Sequence, residues 1–245
     1  MSRIYSDKIA IQKESTHAFF ERRGKGVDQN HPLTSVLYQD DNPELAAARD
    51  RWEKSSILPK LAIQAQSSVL DIGCGIGRWA EACLPTCERY HGTDFSASLI
   101  DVARKRIDSP NATFQVLAAQ DCQPDRIEGA VAFTHVLIAG VLLYLNDDEV
   151  AAALSGVGAC AGPSCTLYIR EPIAVKDRLT LDNHLSQELK AEYSAIYRTE
   201  AELMALFEST VLAAGFLLEE SGKLYPDDLN NRAETIQKFY VFKRP

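Results

Sequence analysis

The stretch that most constrains the fold is residues 69–79, Val-Leu-Asp-Ile-Gly-Cys-Gly-Ile-Gly-Arg-Trp. An apolar run contains Asp71, glycines follow at positions 73, 75 and 77, and a helical pattern begins directly afterwards. This order predicts a strand, a tight turn and a helix, because glycine adopts positive φ and lets a ligand approach the backbone closely. The first amides of a helix are unpaired and carry partial positive charge. The turn therefore predicts a site for a polar or anionic ligand, with Asp71 as an acceptor for cationic or hydroxyl groups.

The glycine spacing discriminates between ligands. The dinucleotide fingerprint G-x-G-x-x-G/A requires a small third residue so that helix and strand can pack closely. Arg78 occupies that position here, and the third glycine comes one residue earlier, at Gly77. The spacing therefore argues against a dinucleotide site. A glycine turn can also have a purely structural role, so the segments that follow must show whether this one binds a ligand.

The stretch resembles motif I of the class I S-adenosylmethionine (SAM)-dependent methyltransferases, hydrophobic-hydrophobic-D/E-x-G-x-G-x-G. A second match supports the resemblance: Asp94 lies 21 residues after Gly73, at the end of a second predicted strand. A carboxylate about 20 residues beyond such a turn can accept hydrogen bonds from ribose hydroxyls. The alternative interpretation is an aspartate that only starts the next helix.

The resemblance also implies an adenine corner after the third strand. The usual acidic position there is Ala118, so Gln120 or Asp121 would have to contact the exocyclic amine. After the fourth strand, residues 141–147 resemble the family pattern VLxYLxD, and the strand tip at Ile138 and Ala139 would face the cofactor. The resemblance implies SAM as the cofactor, with these binding residues: Asp71, Gly73, Cys74, Gly75, Gly77, Asp94, Phe95, Ala119, Gln120 and Ile138.

The predicted fold class is α/β, a doubly wound, seven-stranded, mostly parallel sheet, for which the family implies the order 3-2-1-4-5-7-6. The predicted strands are residues 67–72, 89–94, 112–117, 133–138, 165–170, 216–220 and 237–242. Residues 1–60 are predicted to form a helical arm or flap, and residues 61–245 the SAM-binding domain, with a helical lid insert at about 173–198. Leu185, Leu189 and Tyr193 suggest the helical spacing of the insert. Arm and insert could instead serve only as packing against the sheet.

Charge and composition limit the partners. The net charge of −8 and pI near 5.2 argue against tight binding to a nucleic-acid backbone. The N-terminus has no apolar signal core and the sequence has no 18-residue apolar run, so we expect a cytoplasmic protein without a membrane partner. Six cysteines without C-x-x-C spacing or clustered histidines predict free thiols and no metal site. The expected state is a monomer or homodimer.

The predicted function is SAM-dependent methyl transfer to an oxygen or nitrogen of a small molecule: a metabolite, sugar or natural-product intermediate. No N/D-P-P-Y/F motif is present in the sequence, which argues against a base or glutamine amide as acceptor. Two alternatives remain open. One is a SAM-binding partner or sensor protein without catalysis. The other is a protein or RNA methyltransferase, which a basic groove near Arg22, Arg23 and Lys25 would favour.

A hydroxyl or protonated amine acceptor must lose a proton, so a nearby base would accelerate transfer. The predicted catalytic candidates are His184, His135 and Glu171, with His31 and Tyr197 as further possibilities. His135 lies within an apolar strand, where a packed histidine is the competing interpretation. The predicted substrate contacts are Tyr38, Arg170 and Tyr197. Arg170 stands at the carboxyl end of the fifth strand, the edge where doubly wound sheets bind ligands.

Overall fold

The strands of the computed structural model, which describes residues 2–129, 132–186 and 189–245, form two sheets. They are β1 (Ser2–Tyr5), β2 (Ser68–Ile72), β3 (Arg89–Asp94), β4 (Ala112–Val116), β5 (Phe133–Ala139), β6 (Ala161–Ala174), β7 (Leu179–Ser186), β8 (Ala191–Tyr197), β9 (Leu217–Lys223) and β10 (Thr235–Arg244). The larger sheet has the order β4-β3-β2-β5-β6-β10-β9, and the smaller one the order β1-β7-β8.

The larger sheet confirms the predicted seven-stranded order. Its first five strands run parallel, and β10 lies antiparallel to both β6 and β9. All five residues of β2 are buried, as expected for a central parallel strand covered on both faces. Parallel strands place their carboxyl ends at one edge, so the residues after β2, β3 and β5 meet there.

The helices are α1 (Lys13–Lys25), α2 (Thr34–Leu37), α3 (Pro43–Leu61), α4 (Ala80–Cys83), α5 (Ala97–Arg106), α6 (Asp147–Cys160) and α7 (Glu200–Phe207). Asn42-Pro43 in the sequence predicts a helix start, and α3 begins there: the Leu45 amide donates to Asn42 Oδ1 at 3.1 Å, with Pro43 in the first turn. The spacing of Thr199 and Glu202 predicts a capping box, which is present at the start of α7. The helical pattern after the glycine turn predicts a helix over about 77–84, but α4 is shorter, because the chain stays in turns until Trp79.

The prediction of a helical insert at 173–198 is wrong, because the segment forms the antiparallel pair β7 and β8. Leu185 is largely exposed, so its four-residue spacing to Leu189 does not mark a buried helical face. Residues 179–181 and 194–196 are buried, and the chain start supplies a third strand through the pairing of β1 with β7. That partner is distant in sequence, so local periodicity could not reveal the sheet.

The N-terminal segment is largely helical, as predicted, but it begins with a strand. Helix α1 packs on α5, where the Glu21 carboxylate accepts hydrogen bonds from Ser96 Oγ at 2.8 Å and Ser98 Oγ at 2.5 Å. Burial opposes ionisation of Glu21, but the hydrogen bonds from Ser98 and Ser96 outweigh it and lower its pKa to about 2. The arm is thereby held against α5, a helix that packs on β3 and β4 of the main sheet.

All six cysteines are buried free thiols. In the part of the chain that the structure describes, no helix combines the length and apolarity needed to cross a bilayer.

The docking of α1 can be tested at Gly24, which is buried against α5. An added Cβ would lie 2.6 Å from Ser98 Cβ and 2.7 Å from the Leu99 amide nitrogen. We expect Gly24→Ala to cost about 1–3 kcal/mol of stability, because backbone atoms must shift to admit the methyl group. A lower Tm and faster hydrogen exchange in α1 would show this. Lys25→Ala, at an exposed position of the same helix, is the matched control, and equal Tm values for both variants would contradict the packing.

Candidate active site at the glycine turn

The glycine turn is tied to the end of β3 by three backbone amides. The amides of Gly73 and Cys74 both donate to the Thr93 carbonyl, at 2.7 and 2.9 Å. The Gly75 amide donates to Asp94 Oδ2 at 3.0 Å. Gly73 and Gly75 have φ of +73° and +55°, a backbone conformation that is strained for residues with a side chain. The motif and Asp94 are therefore one structural unit, assembled from two adjacent parallel strands.

A cavity, here called the first cavity, lies over this turn. Seven of the ten residues predicted for cofactor binding line it: Gly73, Cys74, Gly75, Asp94, Phe95, Ala119 and Gln120. The arm contributes Phe20, Val36 and Tyr38 to its wall. A Cβ on Gly75 would lie 3.0 Å from Val36 Cγ1, so the absence of a side chain leaves the cradle open beneath the arm.

Three predicted cofactor residues lie outside the first cavity. Asp71 is buried and accepts a hydrogen bond from the Tyr90 hydroxyl, and burial raises its pKa to about 7. Ile138 is fully buried, and its neighbour Ala139 reaches the cavity instead. A Cβ on Gly77 would meet Ile107 at 3.1 Å, which assigns this glycine to packing against α5 and its C-terminal end.

Asp94 presents a buried carboxylate to the first cavity. Its Oδ1 accepts the Ser96 amide at 2.9 Å, while Oδ2 accepts Gly75. Burial raises the pKa of Asp94 to about 6, and these two amides work against that rise. The carboxylate is therefore ionised at neutral pH and can accept from ligand hydroxyls.

Gln120, which also lines the first cavity, carries an unsatisfied acceptor. Among the described residues, its buried Oε1 atom has no hydrogen-bond partner. A buried acceptor without a partner costs about 1–3 kcal/mol, so it marks a place where a ligand donor would bind. Arg78 adds a guanidinium to the lining, held by Asp50 at 3.0 Å and Glu53 at 2.7 Å.

The loop after β5 lines the first cavity directly beside the glycine turn, where a Cβ on Gly73 would overlap Val141 Cγ2. Two side chains grip its backbone. The Glu171 carboxylate accepts the amides of Val141 and Leu142, both at 2.8 Å, and Leu143 at 3.1 Å. Arg198 donates to the carbonyls of Leu142 at 2.8 Å and Leu145 at 2.7 Å. Residues 140–145 are therefore held rigidly at the site.

A second cavity adjoins the first, and the two share Val36, Tyr38, Gly140 and Tyr144 in their walls. All three predicted substrate residues, Tyr38, Arg170 and Tyr197, line the second cavity. Gly140 has φ of +77°, and a Cβ there would lie 2.6 Å from Arg170 Nη1. The missing side chain lets the guanidinium lie directly beside the boundary between the cavities.

None of the three predicted catalytic side chains lines either cavity. His135 contacts the Leu61 carbonyl at 3.0 Å and Thr134 Oγ1 at 2.9 Å, and burial lowers its pKa. Glu171 is occupied by the three loop amides, and burial raises its pKa to about 7. His184 lies on β7, with its ring 6.5 Å from that of Tyr193. His31 lies in a surface groove together with Arg22 and Arg23.

Several lining residues were missed by sequence reasoning. Phe20 and Val36 come from the arm, Arg49 from α3, and Tyr225 and Arg232 from the segment between β9 and β10. No motif marks these positions, since they reach the site only through tertiary packing. Tyr144 could have been predicted, because it lies in the stretch that resembles the VLxYLxD pattern.

The residues of the first cavity fit SAM. The glycine cradle admits a ligand close to the backbone, the Asp94 carboxylate suits ribose hydroxyls, and Gln120 Oε1 suits the adenine amine. Strand order and cradle together define a class I methyltransferase fold. Residues 70–167 match the family model described as a methyltransferase domain, and this match together with the fold supports SAM as the cofactor.

Solved structures share the fold. Phosphoethanolamine N-methyltransferase 1 of Haemonchus contortus has a TM-score of 0.72 at 18% identity, covering 94% of this chain and 48% of that one. The 1,6-didemethyltoxoflavin N1-methyltransferase of Burkholderia thailandensis has a TM-score of 0.64 at 15% identity, covering 99% and 94%. The N-methyltransferase NodS of Bradyrhizobium japonicum has a TM-score of 0.62 at 18% identity, covering 94% and 99%. No curated protein matches the chain in sequence.

The role of Gln120 can be tested with a matched pair of ligands. Gln120→Ala should weaken binding of S-adenosylhomocysteine (SAH) by about 10-fold, the value of one buried hydrogen bond. S-inosylhomocysteine, which carries a carbonyl in place of the amine, should bind the wild type more weakly and the variant as well as SAH does. Calorimetry measures both affinities. Unchanged discrimination in the variant would place the adenine amine elsewhere.

The pKa of Asp94 predicts a pH dependence of SAH affinity. Its carboxylate becomes protonated below about pH 6, and a neutral carboxyl accepts more weakly from ribose hydroxyls than an ionised one. We expect the affinity to fall by up to about 10-fold per pH unit below that value. Asp94→Asn should bind weakly at every pH. Asp71→Asn is the control, because it removes a second buried carboxyl group. It should keep the pH dependence of SAH affinity seen in the wild type, and loss of that dependence would assign the titration to Asp71.

Proposed function

We propose that the chain transfers the methyl group of SAM to an oxygen or nitrogen of a small molecule bound in the second cavity. The observation that supports this most is the wall shared by the two cavities, where Tyr38, Gly140 and Tyr144 face both. A cofactor in the first cavity would direct its reactive group toward that wall. An acceptor in the second cavity would then meet it within the protein.

The cover over the second cavity favours a small acceptor. The arm contributes residues 36–39, and the segment from 189 to 197 contributes Leu189, Tyr193 and Tyr197. An ion pair joins the two parts, Lys190 to Asp41 at 3.1 Å. A site enclosed in this way suits a metabolite better than a folded protein or a helical nucleic acid. The fold neighbours include enzymes named for small acceptors, phosphoethanolamine and 1,6-didemethyltoxoflavin.

The basic groove that would favour a macromolecular acceptor is largely neutralised. Arg23 pairs with Asp40 at 2.5 Å and donates to the carbonyls of Ser35 and Thr34. Asp28 and Asp40 line the same groove as Arg22 and Arg23. The net charge of −8 also argues against a nucleic acid as acceptor.

In this mechanism the protein acts mainly by positioning. Bound SAM supplies an electrophilic methyl group that transfers by in-line displacement, so alignment and exclusion of water carry much of the rate enhancement. The clamp of Glu171 and Arg198 fixes the wall against which both ligands lie. Burial raises the pKa of Tyr144 well above its usual range, so its hydroxyl stays protonated and can orient the acceptor by hydrogen bonding.

The acceptor class can be tested with tritium-labelled SAM and separated low-molecular-mass, protein and RNA fractions of a cell extract. We expect label to enter only the low-molecular-mass fraction. Asp94→Ala, impaired in cofactor binding, is the background control. Label in protein or RNA would overturn the small-molecule assignment. Intact SAH affinity without transfer to any fraction would favour a non-catalytic role.

Tyr144→Phe tests the orienting hydroxyl. We expect transfer to the labelled acceptor to slow by about 10-fold or more, because one hydrogen bond in the reacting complex is lost. SAH affinity should change by less than about twofold, since the ring and its packing remain. Tyr240→Phe is the matched control, a buried hydroxyl without a hydrogen-bond partner among the described residues. Equal rates for both variants would remove Tyr144 from the mechanism.

A further inference from the structure

The second cavity has an unusual lining for a protein of net negative charge. It carries three arginines, Arg49, Arg170 and Arg232, and none of its described lining residues is an aspartate or glutamate. Tyrosine is the other repeated residue, at positions 38, 144, 193, 197 and 225. Guanidinium groups and phenolic hydroxyls are both donors to oxygen anions.

The charge behind the cavity wall is not balanced locally. The fully buried Glu53 serves two guanidinium groups, with Arg78 Nη2 at 2.7 Å and Arg170 Nε at 3.4 Å. Its Oε1 also accepts the Tyr168 hydroxyl at 2.8 Å. Burial alone would raise the pKa of Glu53, but Arg78 and Arg170 hold it below its usual range, so the carboxylate is ionised.

The ion pairs around Glu53 and Asp50 contain more cations than carboxylates. Asp50 pairs with Arg78 at 3.0 Å and with Lys54 at 2.7 Å, so it too is shared between two cations. Lys54 also pairs with Glu81, which in turn pairs with Arg106, so the linked ion pairs join four cations to three carboxylates: Arg78, Arg170, Lys54 and Arg106 to Asp50, Glu53 and Glu81. Arg170 makes only one of these pairs, at 3.4 Å through Nε, and it shares that carboxylate with Arg78. The least compensated buried charge is therefore that of Arg170, which lines the second cavity.

The position of the Arg170 guanidinium is fixed by its contacts with neighbouring residues. Its Nη1 donates to Gln237 Oε1 at 3.3 Å, a neutral acceptor, and its guanidinium lies over Gly140 at the shared wall. Arg49 is also fixed, donating from Nε to the Leu229 carbonyl at 2.8 Å and from Nη2 to Asn231 Oδ1 at 2.7 Å. Both arginines are more than nine-tenths buried. Arg232, by contrast, is exposed.

We propose that the methyl acceptor carries an anionic oxygen group, a carboxylate or a phosphate, which Arg170 and Arg49 bind in the second cavity with Arg232 at its mouth. This rests on the proposed function, since it names the acceptor class of the same site. The anionic group provides the missing negative charge for Arg170. It also fixes the acceptor beside the wall shared with the cofactor cavity.

The test is binding of inorganic phosphate and of acetate to the SAH-saturated protein, measured by calorimetry at constant ionic strength. We expect at least one of the two anions to bind, and the tighter one indicates which group the acceptor carries. Arg170→Lys, which keeps the charge beside Glu53 but loses the planar fork, should weaken binding by about 3- to 10-fold. Arg232→Gln, at an exposed position, should also weaken it and tests the site without disturbing the core.

Arg51→Gln is the matched control, since it removes one positive charge from the exposed face of α3. It should bind the anion as the wild type does. Absence of binding by both anions, or equal binding by the wild type, Arg170→Lys and Arg232→Gln, would overturn the proposal. Absence of SAH binding in the first step would instead contradict the proposed function. The two failures are therefore distinguishable.

Discussion

The arrangement of the site depends on the hydrogen bonds that join the glycine turn to the end of the neighbouring strand. Gly73 and Cys74 share the Thr93 carbonyl, and Gly75 binds the Asp94 carboxylate. Parallel pairing of β2 and β3 brings these groups to one edge. The same contacts open a cradle above the backbone and fix the acid at its rim. Substitution at any of these glycines would disturb both the cofactor cradle and the alignment of the strands.

A second set of contacts transmits this order to the acceptor side. Glu171 and Arg198 grip the loop after β5 through its amides and carbonyls, and that loop faces both cavities. Glu53 connects α3 of the arm to Arg78 beside the glycine turn and to Arg170 at the second cavity. The first and second cavities are thus linked by buried charges, and the positive excess lies at the second cavity, where we propose that the acceptor binds.

The N-terminal arm and the β7–β8 pair form one cover, because β1 adds a strand to β7 and α1 contacts β8. They supply most of the aromatic residues around the shared wall, including Phe20, Tyr38 and Tyr197. In the proposed function, methyl transfer takes place at the sheet edge, and this cover selects the acceptor. Its helical part was predictable from caps such as Asn42, and its strands were not, since their partners are remote in sequence.

What the sequence by itself determined is the cofactor half of the protein. Strand, turn and acid are local features with fixed spacing, so motif I and Asp94 predicted most of the first cavity, and the family resemblance that they carry implied the sheet order. Only the tertiary structure decided that Asp71, Gly77 and Ile138 are packed in the interior rather than lining the first cavity. It also decided that the side chains of His135 and Glu171 are engaged in hydrogen bonds within the protein. It alone assembled Arg49, Arg170 and Arg232 from α3, β6 and the loop before β10. The physical reason is that a charge excess is a property of neighbours in space, which no spacing along the chain records.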